Sequence, residues 1–117
     1  MTKVVCLSGG IGGAKLALGL SKVLAPKQLT VIANTGDDIE LLGLRICPDV
    51  DTLLYTLSDR VNPETGWGLA GDTFQCLKQL GAYGWDAWFA LGDVDLATHL
   101  WRTNMLRRGI SLSDVTG

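Results

Sequence analysis

KVVCLSGGIGGAKLALGLSKVLAPKQLTVIA, residues 3–33, decides how this chain folds. Residues 3–8 are a short apolar run with two β-branched valines, the pattern of a buried strand. Four glycines follow within five positions. From Ala14 onward Leu16, Leu20, Val23 and Leu24 recur at steps of three and four, which places them on one helical face until Pro26 forbids continuation. Residues 29–33, LTVIA, read as a second strand. Strand, glycine turn, helix and strand in about thirty residues make a βαβ unit with a right-handed crossover. The fold class is therefore α/β: a Rossmann-like start of a parallel sheet with helices on both faces.

The glycines carry the first chemical expectation. A turn between a parallel strand and a helix needs one or two glycines, whereas Gly9, Gly10, Gly12 and Gly13 let backbone N–H groups close on a phosphate at the helix terminus. Lys15 would add a full positive charge. The phosphate-loop pattern G-x-x-x-x-G-K-[ST] is absent, since Lys15 stands between Ala14 and Leu16. The dinucleotide pattern G-x-G-x-x-G fails as well, because counting from Gly10 and Gly12 its third glycine falls on Lys15. A phosphorylated substrate fits this loop better than a nicotinamide dinucleotide, which argues against an oxidoreductase.

Further along, Leu41 to Ile46 is a short apolar run, and a helix opening near Asp51 buries Leu53, Leu54 and Leu57. A surface loop over residues 59–71 sets Trp67 between two glycines. A third helix is expected from Asp72 as N-cap to just before Gly81, with Phe74, Leu77 and Leu80 inward. A fourth runs over roughly residues 95–108, with Leu96, Leu100 and Trp101 inward and Gly109 as its stop. Ser111 and Asp114 then have the spacing of a helix start with no helix after it. Two or three parallel strands alone would leave open edges and faces, so residues 1–117 read as the amino-terminal part of a single larger α/β domain. Such an edge also predicts self-association, with a homodimer as its simplest form.

Acids gather in three short loops, the first of them at the carboxyl end of a strand, where open α/β sheets bind ligands. Asn34, Asp37 and Asp38 follow the second strand; Asp49 and Asp51 flank Val50 behind Pro48; Asp93 and Asp95 flank Val94. Capping is the other reading of these acids, and for Asp72 and Asp95 capping and function stand side by side. Only one of Asp49 and Asp51 can cap, which leaves a carboxylate for function. A phosphate turn opposite carboxylates suits magnesium-assisted phosphoryl chemistry, because hard oxygen ligands hold the ion and the ion neutralises a diphosphate. The lone histidine, His99, reads as a hydrogen-bonded structural residue. No serine or cysteine has a matched histidine for covalent catalysis.

Composition excludes several classes. The 117 residues are 47% hydrophobic, and 12 acidic against 10 basic side chains leave a charge of −2 with no run of like charge. Nucleic-acid and membrane-surface binding are not expected. Cys6, Cys47 and Cys76 are odd in number and in no metal spacing. With only a short apolar stretch before the glycines, the reading is a cytoplasmic protein.

Six runs taken together resemble the 2-phospho-L-lactate transferase family of coenzyme F-420 biosynthesis: GGIGGAKL, NTGDD, CPDVDTLLYTL, GWG, WFALGDVDLATHL and RTNMLRRGISLSDVT. Their order and spacing match from one end of the chain to the other. The resemblance implies transfer of a phospholactyl or phosphoenolpyruvyl group from a guanosine diphospho-linked donor to 7,8-didemethyl-8-hydroxy-5-deazariboflavin. GMP leaves, magnesium is required, and the partners are small molecules. It also implies site residues. Gly9, Gly10, Gly12, Gly13 and Lys15 would face the donor's nucleotide or phosphates. Asp51 and Thr52, with Asn34, would contact the acceptor. Asp37, Asp38 and Asp49 are the candidate catalytic carboxylates, with Asp37 and Asp49 for the metal. Ala90 stands where relatives often carry a polar side chain near the deazaflavin, so only a backbone contact survives there. A related family of nucleotide-sugar-binding regulators shares a glycine loop and a DD segment without transferase activity; CPDVDT and LGDVDLATHL favour the transferase.

Overall fold

The computed structural model describes residues 2–117, and the chain forms two compact units. The first comprises residues up to Asp38 together with Cys47–Ala70, the second Ile39–Ile46 together with Gly71–Gly117.

The first unit is the expected βαβ element. Strand β1 (Val4–Ser8) pairs in parallel with β2 (Leu29–Ala33), in the register Val4 with Leu29 through Ser8 with Ala33. Helix α1 (Gly10–Val23) connects them through a 3-10 turn at Pro26–Gln28. Helix α2 (Pro48–Leu57) follows after the chain returns from the other unit. Alternation along β1 buries Cys6 and Ser8, and Cys6 joins Ala14, Ala17 and Leu53 in the core, with Leu20, Leu29, Val31 and Ala33 against it. Two alanines on α1 allow its axis to lie close to the strands. Both helices share this face. The opposite face of the pair shows Val5, Leu7 (75% exposed) and Ile32 outward.

The glycines are not a loop. Gly9 is the N-cap of α1, and Gly10, Gly12 and Gly13 form its first turn. Gly10 has φ +65°, the left-handed bend by which the chain enters the helix. At Gly13 a methyl group would lie 2.8 Å from Ser8 Oγ and 3.1 Å from Ser8 Cα, so the helix rests directly on the end of β1. Gly12 faces open space. Gly13→Ala is therefore expected to cost about 1–3 kcal/mol through overpacking. Gly12→Ala should stabilise the helix by about 0.5–1 kcal/mol. Urea denaturation midpoints moving in opposite directions would establish this; equal shifts would refute the packing role of Gly13.

In the second unit the run from Leu41 to Ile46 is a hairpin instead of one element. β3 (Ile39–Leu41) and β4 (Leu44–Ile46) pair antiparallel around Leu42–Gly43, both with positive φ, at 54° and 75°. Such a turn matches strand twist and usually carries Asn-Gly, so a leucine at its first position concealed it. Helix α3 (Gln75–Ala82) starts three residues after Asp72, and Phe74 is exposed instead of inward. Helix α4 (Asp95–Arg107) ends as expected at Gly109, φ +84°, with the Ile110 N–H donating to Met105 O. Ser111 does begin a helix, α5 (Leu112–Thr116): its hydroxyl accepts from the Asp114 N–H at 3.2 Å.

The inward face of α4 is the reverse of the expected one. Leu100 and Trp101 are 56% and 59% exposed, while Asp95, His99, Arg102 and Thr103 are buried. The cause is the edge of the hairpin. Arg45 of β4 sends its N–H to Thr103 Oγ1 at 2.8 Å and receives Arg102 Nη1 on its carbonyl at 3.2 Å. Polar side chains on α4 thus satisfy a strand edge that apolar ones would leave orphaned. No helix among the described residues is long and apolar enough to cross a membrane.

Candidate functional site

The carboxyl ends of β1 and β2 open into a cleft of about 430 Å³, bordered by Ser8, Gly9, Asn34 and Thr35 and walled by Leu7 and Ile32. Open α/β sheets bind ligands at this end. Here the amino termini of α1 and α2 are joined by one side chain. Asp49, in the first turn of α2, accepts the Gly10 N–H on Oδ1 at 3.0 Å and the Asn34 amide on Oδ2 at 2.7 Å. Asn34 is held in turn: its Oδ1 accepts the Gly36 N–H at 3.0 Å, and its own N–H donates to Ser8 O at 2.8 Å. These partners settle the amide's orientation, since only Nδ2 can donate to the carboxylate.

Asp49 therefore occupies the place of an anion at a helix terminus, where free N–H groups and the helix dipole favour negative charge. The N–H groups of Ile11 and Gly12, in the same turn, have no acceptor among the described residues. The local cause is Pro48. It takes the first helical position, where a missing N–H costs nothing, and so starts α2 three residues before the expected Asp51. Both acids then fall in the first turn, and neither is the N-cap, which is Cys47.

The structure thus brings Gly9, Gly10, Gly12, Asn34 and Asp49 together. Gly13 serves packing, and Lys15 is exposed on the second turn of α1. Asp37, exposed, and Asp38, half-buried, lie in the turn closed by the Asp38 N–H on Thr35 O at 3.2 Å. Asp51 and Thr52 are buried in α2. Ala90, half-buried, belongs to the second unit, in the segment before α4.

Within the second unit Asp72, expected to cap the third helix, instead serves the fourth, and Asp93 serves the third. Asp72 accepts the N–H groups of Val94 and Asp95 at the start of α4, at 2.9 and 3.0 Å, and that of Thr73 at 2.8 Å. Asp93 accepts the N–H groups of Gln75 and Cys76 at the start of α3, both at 2.9 Å, and the Thr73 hydroxyl at 2.6 Å. A methyl on Gly92 would collide with the Asp72 carboxylate, hence the glycine. The Thr73 hydroxyl and the Cys76 and Gln75 N–H groups hold the Asp93 carboxyl below its ordinary value of 3.8. A lowered folded-state pKa contributes stability that is present above the ordinary value and fades as pH falls through the lowered one. Asp93→Asn should accordingly unfold more readily than wild type above pH 4, and the gap should narrow under acid. Urea midpoints taken from about pH 3 to 7 would check this; a gap independent of pH would refute it.

His99, 2% exposed, lies between two charged neighbours on α4. Its Nδ1 meets Arg102 Nη1 at 3.4 Å and its Nε2 meets Asp95 Oδ2 at 3.1 Å. A guanidinium only donates, so Nδ1 accepts and Nε2–H donates to Asp95. The histidine expected to be a hydrogen-bonded structural residue is thus in contact with both charged neighbours. Arg102 and Thr103 were missed, although Asp95, His99 and Arg102 stand four and three residues apart on one helical face.

Comparison with known proteins places these features in context. The family model described as 2-phospho-L-lactate transferase CofD matches residues 4–117. The chain is 52% identical over 115 residues to a protein of Streptomyces griseus subsp. griseus named phosphoenolpyruvate transferase, covering 97% of this chain and 36% of that one. It is 50% identical over 123 residues to the Thermobifida fusca protein of the same name, covering 97% and 38%. To that of Mycobacterium tuberculosis it is 44% identical over 128 residues, covering 97% and 39%. The chain spans little more than a third of the length of these relatives.

Proposed function

The chain belongs to the 2-phospho-L-lactate transferase CofD family, and from that premise we propose that its protein transfers a phosphoenolpyruvyl group. The donor is guanosine diphospho-linked, the acceptor is the ribityl 5'-hydroxyl of the deazaflavin, and GMP leaves, as the sequence resemblance implies. The enolpyruvyl version is favoured over phospholactyl by the name its relatives carry. The observation that carries the reading is the terminus of α1, where the Ile11 and Gly12 N–H groups stand open beside the Asp49 carboxylate, so that phosphate and a magnesium-holding acid are received side by side. Partners are small molecules and the compartment is the cytoplasm, with a homodimer as the assembly proposed.

Each residue then has a task. The first-turn N–H groups of α1 receive donor phosphate, and Lys15 adds charge as the donor approaches. Asn34 keeps the Asp49 carboxylate turned toward the helix terminus. Asp51 and Thr52 hold the acceptor. The acceptor oxygen forms a bond to the phosphorus that bears the acyl oxygen, and the phosphoanhydride bond opposite breaks in line. An aspartate among Asp37, Asp38 and Asp49 takes the hydroxyl proton. Magnesium fits the donor set, because carboxylate oxygens are hard ligands and each Asp49 oxygen retains a lone pair beyond its single hydrogen bond. Asp37 and Asp49 would hold it, and bound there it neutralises diphosphate charge.

The test is turnover with magnesium, donor and deazaflavin, following GMP and the coupled product by chromatography. Equimolar appearance of both supports the reading. Binding of a UDP-sugar with no GMP release would replace it with the nucleotide-sugar-binding regulator.

A further inference from the structure

Residues 60–70 carry the Gly-Trp-Gly motif, and their backbone is closed on itself. The Ala70 N–H donates to Arg60 O at 2.8 Å, Asn62 N–H to Gly68 O at 3.0 Å and Gly66 N–H to Asn62 O at 2.8 Å. Val61 and Leu69 form an antiparallel bridge, and Leu69 is buried. Thr65 Oγ1 donates to Trp67 O at 2.7 Å. Gly66 and Gly68 have φ of +77° and +69°, left-handed bends on either side of Trp67. A loop tied this thoroughly holds its tip in one place.

That place adjoins the phosphate turn. A methyl on Gly66 would lie 2.7 Å from Cγ2 of Ile11, so the loop backbone is pressed onto the residue between Gly10 and Gly12. Trp67 is nevertheless 41% exposed. A large indole left open on a rigid support, one residue from a contact with an anion-receiving turn, is built for stacking.

We propose that Trp67 is the platform on which a flat fused heteroaromatic ring of a substrate stacks. The inference rests on the transferase reading, which supplies two such rings, the guanine of the donor and the tricycle of the deazaflavin. The rigid loop lowers the ordering cost of the contact, so the stack adds affinity directly.

The test measures dissociation constants of GDP, deazaflavin and pyrophosphate, each with magnesium, for wild type, Trp67→Phe and Trp67→Ala. Pyrophosphate is the probe without a ring. Trp67→Ala should weaken GDP or deazaflavin about tenfold or more, with Trp67→Phe near wild type and pyrophosphate unchanged. Whichever ring ligand weakens is the one that stacks. Wild-type affinity of Trp67→Ala for both ring ligands, where wild type binds both, overturns the platform and leaves the transferase reading intact. Parallel loss of pyrophosphate overturns it too, by showing a merely structural loop. If wild type binds neither ring ligand, the transferase reading falls and the platform with it.

Discussion

Asp49→Ala is expected to lower the transfer rate by about 100-fold while leaving the thermal midpoint within a few degrees of wild type. The carboxylate lies at the surface end of two helices, so its removal opens Gly10 N–H to water and removes little packing. What is lost is position. Without Asp49 the Asn34 Nδ2 loses its partner beside the α1 terminus, and the carboxylate proposed for magnesium or the acceptor proton is gone. Asp49→Asn is the sharper variant. Its single oxygen can serve the Gly10 N–H, but its amide then faces the amide of Asn34, a donor against a donor. Rotating Asn34 to relieve this would turn its amide onto the Gly36 N–H, which now donates to Oδ1. Asp49→Asn should therefore lose nearly as much as Asp49→Ala. Wild-type turnover in Asp49→Asn would remove Asp49 from the chemistry.

Arg102→Met is expected to destabilise the protein by roughly 3 kcal/mol, the scale for removing one partner of a buried charged group. Arg102 is 3% exposed and bridges Arg45 O and His99 Nδ1. Methionine fills the volume but offers no donor, so a carbonyl at a strand edge and an imidazole nitrogen lose theirs, and the buried Asp95 loses nearby positive charge. Arg102→Lys keeps the charge without the planar fork and should fall between the two. Chemical denaturation of the three proteins would rank them. Equal midpoints for Met and wild type would mean the polar face of α4 does not hold the hairpin.

Local pattern accounts for what could be read early. β1, α1 and β2 were legible in extent because strand and helix periods are properties of neighbouring residues, and Pro26 and the glycines mark their ends in place, but α1 exposes Leu16 and Val23 of the expected face and buries Ala14 and Ala17. Helix α4 was legible in extent for the same reason. Its buried side was not, because counting apolar residues ignores the hydrogen-bonding needs of a strand fifty-odd residues away, and those needs outweighed Leu100 and Trp101. Capping failed in the same manner. Asp72, expected to cap α3, serves α4, and Asp95, the cap expected there, is already inside α4, while α3 is served by Asp93.

By itself, then, the sequence determined the βαβ unit, a glycine turn at a helix terminus, acids at the carboxyl ends of the strands and, through six motifs in register, the family. Only the tertiary structure decided that Asp49 is the acid at the glycine turn, that Gly13 serves packing, and that α4 buries its polar face. The division is physical. Periodicity and turn chemistry act within a few residues, whereas a hydrogen bond between Asp49 and Gly10 exists only after α2 has folded back beside α1.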